Sequence, residues 1–210
     1  MAARCYSQRK GGGWVTLSAQ DIAEVRRLAR RASELGRDDA VALSAAGIGL
    51  AYVVSEMDHG ADLIDRAIAL NPNLAMAWLF GGWVRLWRGE PDAAIEHVGR
   101  AMRLSPNDPQ LAMMHVVTAC AHFFAERNPQ ALLLAEKSMR LQPSYFMAAG
   151  VLAASNAIAG RPAEAKKAMA SLREIAPTLR LSNLLDVFPI QRQEDIVKWA
   201  EGLRRAGLPE

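Results

Sequence analysis

Residues 70–106 read LNPNLAMAWLFGGWVRLWRGEPDAAIEHVGRAMRLSP, a segment that begins and ends on nearly the same triplet. Leu-Asn-Pro at 70–72 is followed 34 residues later by Leu-Ser-Pro at 104–106. Related triplets end at Pro143 and Pro177, so the successive prolines are 34, 37 and 34 residues apart. A fixed spacing in this range predicts stacked copies of one supersecondary unit.

The quoted segment reads as two amphipathic helices. The first covers residues 75–88 and ends at Gly89, and the second begins near Pro91, because proline is tolerated in a first helical turn. Apolar residues of the second helix recur on one face, at Ala94, Val98 and Ala101. No β-branched alternating run of useful length occurs in the 210 residues. The sequence therefore predicts an all-α fold.

These residues resemble the tetratricopeptide repeat (TPR), a family of paired helices. The matching positions of the quoted copy are Trp78, Gly82, Gly89, Ala94, Val98, Ala101 and Pro106. Two positions depart from the pattern, since Arg85 replaces an aromatic residue and Leu172 replaces a small one. The resemblance implies a right-handed solenoid of antiparallel helix pairs, in which the first helix of each pair (helix A) lines the concave side.

Small residues recur where the two helices of each pair should touch. They are Gly47, Gly82, Ala119 and Ala153 in the A helices, and Gly60, Ala94, Ala131 and Ala165 in the second (B) helices. Small side chains let two helices approach closely, while bulky neighbours fill the gaps between successive pairs. We therefore expect the A–B contact to be close at these positions.

The period divides the chain into six parts. Residues 1–38 form a partial repeat, four repeats cover 39–72, 73–106, 107–143 and 144–177, and residues 178–210 form a C-terminal cap. We expect one extra residue in the inner loop of the first full repeat and three before the first helix of the third. In the cap, residues 194–205 predict a helix with an apolar face of Ile196, Trp199, Ala200 and Leu203.

The closing stretch EDIVKWAEGLRRAGLPE, residues 194–210, is similar to the end of TPR regions in bacterial multidomain signalling proteins. In those proteins the region follows a class III adenylate cyclase domain or a winged-helix DNA-binding domain. Because the chain begins inside a partial repeat, we expect it to be a fragment of a longer protein. The resemblance also leaves open a regulatory sensor segment that binds a small ligand or its own upstream signalling domain.

Candidate chemistry is sparse. The histidines His59, His97, His115 and His122 have no carboxylate or cysteine partners at metal-ligand spacing. The run Gly11-Gly12-Gly13 reads as a connector, because no Lys-Ser or Lys-Thr follows it. We find no catalytic constellation, and we predict a protein that is not an enzyme and needs no metal or cofactor.

The charge distribution and the cysteine content limit the cellular compartment and the classes of partner that we expect. Residues 1–38 hold eight basic and four acidic side chains. We interpret them as a solvated helix face rather than a nucleic-acid site, because no aromatic residue lies among the arginines at 26–37. Cys5 and Cys120 form neither a disulfide framework nor a zinc motif. The first ten residues lack the apolar run of a secretory signal. We predict a cytoplasmic protein that binds neither nucleic acid nor membrane.

The strongest candidate site is the concave side of the A helices. The predicted partner-binding residues are Tyr52, Met76, Leu79, Trp83, Trp87, Met113, Val116 and Phe124. Buried aromatic residues tend to dominate interface energies, so this stripe favours a protein or peptide partner. Two other interpretations stay open, because an apolar stripe can be core or can be covered by the C-terminal helix. The sequence does not predict the oligomeric state.

Overall fold

The computed structural model describes residues 2–11 and 17–210, so most of the predicted glycine connector lies outside the described residues. Within them the chain is helical and contains no strand, which confirms the predicted all-α class. The helices are α1 (Ala2–Gly11), α2 (Ala19–Leu35), α3 (Ala40–Gly49), α4 (Met57–Leu70), α5 (Ala75–Trp87), α6 (Pro91–Leu104), α7 (Leu111–Phe124), α8 (Asn128–Leu141), α9 (Phe146–Ile158), α10 (Pro162–Ile175), α11 (Leu184–Val187) and α12 (Gln193–Ala206). None of these helices is long and apolar enough to cross a bilayer.

The chain forms two compact units. The first comprises Met1–Val84 and Glu96–Pro106, and the second comprises Arg85–Ile95 and Asn107–Glu210. In the first unit α3 packs against α4, and α1 and α2 both pack against α3. In the second unit the pairs α7–α8 and α9–α10 form, α8 packs against α9, and α12 packs mainly against α9. Consecutive helices joined by a short turn are therefore the packing unit, as the period predicts.

Several helix starts follow from local chemistry. The Ser18 hydroxyl accepts a hydrogen bond from the Asp21 amide, and the Asp21 carboxylate accepts one from the Ser18 amide, forming a capping box for α2. The Asp39 side chain accepts hydrogen bonds from the first amides of α3. Both caps satisfy backbone donors that a helix leaves unpaired at its start.

One left-handed residue follows the A helix in each of the pairs α3–α4, α5–α6, α7–α8 and α9–α10. These residues are Ser55, Gly89, Glu126 and Gly160, with φ angles of 65°, 80°, 62° and 69°. In the last three pairs the next amide donates to the carbonyl five residues earlier, at Arg85, His122 and Asn156. Glycine adopts positive φ without steric cost, whereas a glutamate does not. Glu126 is therefore strained where two equivalent turns use glycine.

The first pair differs because α3 ends in a π-helical turn, Leu50–Val54. The Glu56 amide donates to the Leu50 carbonyl at 2.9 Å, a longer reach than in the other pairs. A π turn takes up one more residue than an α turn. The extra residue of this repeat therefore lies at the end of helix A and not in the predicted inner loop. The longer third repeat has its longer connection at residues 105–110, before α7.

The predicted close approach of the A and B helices is confirmed in the first unit. A Cβ atom added at Gly60 would lie 2.6 Å from the Gly47 carbonyl oxygen and 2.7 Å from the Ala51 Cβ. A Cβ atom added at Gly47 would lie 2.7 Å from the Gly60 carbonyl oxygen. These distances are shorter than any ordinary contact, so the two backbones touch through the missing side chains.

We predict that Gly60→Ala lowers the free energy of unfolding by about 1–3 kcal/mol, because the new methyl group must push two backbones apart. Gly99→Ala is the matched control, since a Cβ there meets only the Arg103 side chain, at 3.5 Å. Removing that glycine from the middle of α6 should raise the free energy by about 0.5–1 kcal/mol. Urea unfolding of both variants measures the two changes. A Gly60→Ala protein as stable as the wild type would contradict the close contact.

Candidate functional site

In the first unit, the predicted partner-binding residues are mostly buried. Leu79 and Trp83 in α5 are 0% and 7% exposed, and Tyr52 in the π turn is 8% exposed. Only Met76 keeps a partly exposed side chain among these four. Lys10 of α1 donates from Nζ to the Tyr52 carbonyl oxygen at 2.7 Å, and its Nζ lies 4.6 Å from the centroid of the Tyr52 ring. The stripe in this unit is thus largely covered by the chain itself.

In the second unit, Trp87, Val116 and Phe124 are buried and Met113 is partly exposed. Two of the buried residues contact residues 188–206 of the same chain, which we call the C-terminal segment. The Gln191 backbone N–H donates to the Trp87 carbonyl oxygen at 2.8 Å. The Phe188 ring stacks on the Phe124 ring, with 6.2 Å between the centroids. The C-terminal segment therefore covers part of the A-helix residues that the sequence assigned to a partner.

The C-terminal segment runs past the ends of two successive A helices. At the end of α5, a Cβ added at Gly89 would lie 2.7 Å from the Arg192 Cδ. At the end of α7, Lys198 donates from Nζ to the Phe124 carbonyl oxygen at 3.3 Å and to the Glu126 carboxylate at 3.1 Å. A helix C-terminus carries partial negative charge, so a lysine is favourable there. This contact also gives the strained Glu126 a role.

Trp199 lies at the centre of an aromatic cluster. Its ring centroid is 5.6 Å from Phe123, 6.3 Å from Phe124 and 5.8 Å from Phe188. All four rings are buried. Edge-on and tilted arrangements at these distances add to the energy of apolar burial. The cluster joins α7 to the C-terminal segment.

On α9 the segment meets small residues. A Cβ added at Gly150 would lie 3.1 Å from the Trp199 ring, and a Cβ added at Gly202 would lie 2.8 Å from the Ala154 Cβ. Helix α12 therefore crosses α9 in close contact, with Gly202 facing Ala154. Leu172, which departs from the repeat pattern, lies on the apolar wall that also contains Leu184 and Phe188. The larger side chain fills space beside the C-terminal segment.

The buried face of α12 differs from the predicted one. Trp199 and Leu203 are buried as expected, but Ile196 and Ala200 are only partly covered. The remaining buried residues of this helix are Asp195, Gly202 and Ala206. They follow a helical spacing from Trp199, which was a usable signal, but an acidic residue was not expected on the packed side.

Asp195 is 3% exposed, although it is an ionisable residue. Its Oδ2 atom is buried and accepts no hydrogen bond from the described residues. Burial raises the pKa of Asp195, and this effect exceeds the opposing influence of Arg192 and Lys198. The segment therefore carries one poorly compensated carboxylate into its packed face.

Other candidate chemistry does not assemble. Among the described residues, no three His, Cys, Asp or Glu side chains lie close enough to hold a metal ion. Burial lowers the pKa of His115 and of His122 and raises that of the Cys120 thiol. Several arginines of α2 pair with carboxylates, including Arg26 with Glu56 at 2.9 Å, which fits a solvated, partly neutralised face.

We predict that Asp195→Asn stabilises the protein at neutral pH. A carboxyl whose pKa is raised on folding costs stability while it is ionised, and this cost disappears as pH falls through the raised pKa towards the ordinary value. The stability difference between the variant and the wild type should therefore shrink as the pH is lowered. Urea unfolding over a pH series gives the difference at each pH. A difference that is constant with pH would refute the assignment.

Comparisons with known proteins report on the fold. No protein-family model matches the chain, and no curated protein matches its sequence. Among solved structures, PilW, a type IV pilus biogenesis factor, has a TM-score of 0.70 at 16% identity, covering 98% of this chain and 87% of its own. TTC0263, a TPR protein of Thermus thermophilus, has a TM-score of 0.64 at 18% identity, covering 88% and 92%. YrrB, described as a TPR protein with an unusual peptide-binding site, has a TM-score of 0.55 at 19% identity, covering 85% and 90%. The chain has the helical-repeat fold of TPR proteins.

Proposed function

We propose that the chain is a non-catalytic protein-interaction module that binds a protein or peptide partner on its A helices. The observation that supports this proposal is the C-terminal segment, which lies against A-helix residues of the second unit. The Gln191 backbone N–H donates to the Trp87 carbonyl oxygen, Lys198 donates to the Phe124 carbonyl oxygen at the end of α7, and the Phe188 ring stacks on Phe124. The aromatic contact is the kind with which an amphipathic helix is recognised in an apolar groove, and the two hydrogen bonds add to it.

The predicted site residues divide into two groups by exposure. Met76 and Met113 are partly exposed, so a partner can contact them without any rearrangement. Methionine is flexible and adapts to varied apolar surfaces. The other six are buried, namely Tyr52, Leu79, Trp83, Trp87, Val116 and Phe124, and a partner reaches them only where covering residues move. We assign first contact to the methionines.

The fold neighbours agree with an interaction role, since YrrB is described as having a peptide-binding site. At identities of 16–19% these neighbours support the fold alone. The cytoplasmic location, the bacterial signalling context and the upstream cyclase or winged-helix domain stay predictions from the sequence. No specific observation favours the sensor hypothesis, so the interaction module is the function we propose.

The proposal can be tested with a phage library of random 16-residue peptides selected on the wild-type chain. We expect selected peptides to lose at least tenfold in affinity on Met113→Glu, because a charge replaces an apolar contact in the site. A tenfold loss corresponds to about 1.4 kcal/mol of binding free energy. Fluorescence polarisation with the labelled peptides measures the change.

Leu133→Glu is the matched control for that experiment. Leu133 lies on the B helix α8 of the same unit and is 51% exposed, so its replacement adds the same charge on a different helix. We expect peptide affinity on Leu133→Glu to equal that of the wild type. Selected peptides that depend on Leu133 and ignore Met113 would assign binding to the B helices and overturn the proposal.

A further inference from the structure

We infer that the C-terminal segment is a displaceable internal occupant, and that its place on the second unit takes a partner helix of similar chemistry. The partner helix would carry an aromatic residue preceded by lysine, a glycine three positions after the aromatic, and a neutral residue four positions before it. This inference rests on the proposed function and names the kind of partner that the site accepts.

The shape of the site selects the aromatic residue and the glycine. The absence of a side chain at Gly150 lets the Trp199 ring pack against α9 without a shift, since a Cβ there would lie 3.1 Å from the indole ring. Gly202 faces Ala154 so closely that a Cβ would lie 2.8 Å from the alanine Cβ. A partner helix therefore needs a large flat side chain and a glycine at the same separation to reach α9.

Electrostatics at the end of α7 select the lysine. Lys198 donates to the Phe124 carbonyl oxygen and to the Glu126 carboxylate. Glu126 has a φ of 62° in a turn where Gly89 and Gly160 occupy the equivalent positions. A residue whose backbone is held in a strained, left-handed conformation often serves a binding site. The carboxylate of Glu126 is therefore part of the recognition surface for a cation on the incoming helix.

Asp195 makes the resident helix an imperfect occupant. Its carboxylate is buried, and Oδ2 has no hydrogen-bond donor among the described residues. Burying an ionised group without full compensation costs free energy. A partner helix with asparagine or an apolar residue at this position makes the same contacts without that cost. The defect lies on the resident segment and not on the surface that receives it.

Exchange keeps the apolar surface covered. A foreign helix that brings its own aromatic residue replaces the contacts of Trp199 with Phe123 and Phe124, so these rings stay out of water. The free energy of exchange is then the difference between two similar helices, and not the full cost of exposing the cluster. The resident helix has the advantage of being tethered, which raises its effective concentration. The apparent affinity for a partner is reduced accordingly.

The experiment uses the full chain and a fluorescein-labelled synthetic peptide with the sequence of residues 186–208 carrying Asp195→Asn. Fluorescence polarisation gives the Kd for the wild type and for two chains with a weakened resident helix, Gly202→Leu and Lys198→Ala. We expect the peptide to bind both variants at least tenfold more tightly than the wild type. Val197→Ala is the control, because Val197 is 56% exposed on the same helix, and its Kd should equal that of the wild type.

Three peptide variants test the chemistry. Peptides that also carry Trp199→Ala or Gly202→Leu should fail to bind, and the peptide with the natural Asp195 should bind more weakly than the asparagine peptide. Equal binding of the aspartate and asparagine peptides would overturn the stated preference for a neutral residue at that position. Circular dichroism checks that each chain is folded. If Gly202→Leu unfolds the protein, Lys198→Ala carries the test.

The inference is overturned if the weakened chains are folded and bind the peptide no better than the wild type. That outcome is distinct from failure of the proposed function. Phage-selected peptides that depend on Met113 would then still show an interaction module whose C-terminal segment is a permanent cap. In the converse outcome, phage-selected peptides bind Met113→Glu as tightly as the wild type, while the 186–208 peptide still binds the weakened chains more tightly. The interaction site would then lie only on the surface under the C-terminal segment.

Discussion

Close contact between helix backbones is the constraint on which this structure depends. In the pair α3–α4 the apolar residues can pack only because the two helix backbones approach within the width of a missing side chain. Gly47 and Gly60 show this directly, because an added Cβ at either would collide with the backbone of the other helix. The small residues carry little burial energy themselves. They set the distance at which the large residues around them can interlock.

Small residues also allow the C-terminal helix α12 to pack closely against α9. Gly202 faces Ala154 on α9, and Gly150 makes room for the Trp199 ring. The docking contact therefore follows the rules of helix packing inside a repeat, although α12 lies outside the periodic part of the sequence. A surface that accepts its own C-terminal helix by repeat-like packing has the shape needed for other helices. Aromatic side chains at its centre provide the apolar energy.

The sequence predicted the local elements well because their signals are local. The proline spacing located the helix pairs, and the last helix was expected at 194–205 and is found at Gln193–Ala206. The details that depend on tertiary neighbours were not predicted. The π turn at Leu50–Val54 replaced a loop insertion. The burial of Asp195 depends on how α12 docks onto the repeats, which helical periodicity alone does not report. The A-helix stripe was recognisable, but whether it is covered depends on contacts distant in sequence.

Two unfavourable residues lie where α12 docks, one on the repeat surface and one on α12 itself. Glu126 occupies a left-handed turn position suited to glycine, and Asp195 places a carboxylate in a packed helix face. Natural sequences keep such conflicts mainly where function offsets their cost. Lys198 lies on the same helix as Asp195 and pairs with Glu126. The surface thus keeps a strained acid that favours a cation, while the resident helix keeps a buried acid that weakens its own docking. A permanent cap would gain stability by replacing Asp195 with a neutral residue. In an exchangeable cap, Glu126 serves to recognise a cation on the docked helix, and Asp195 favours its release.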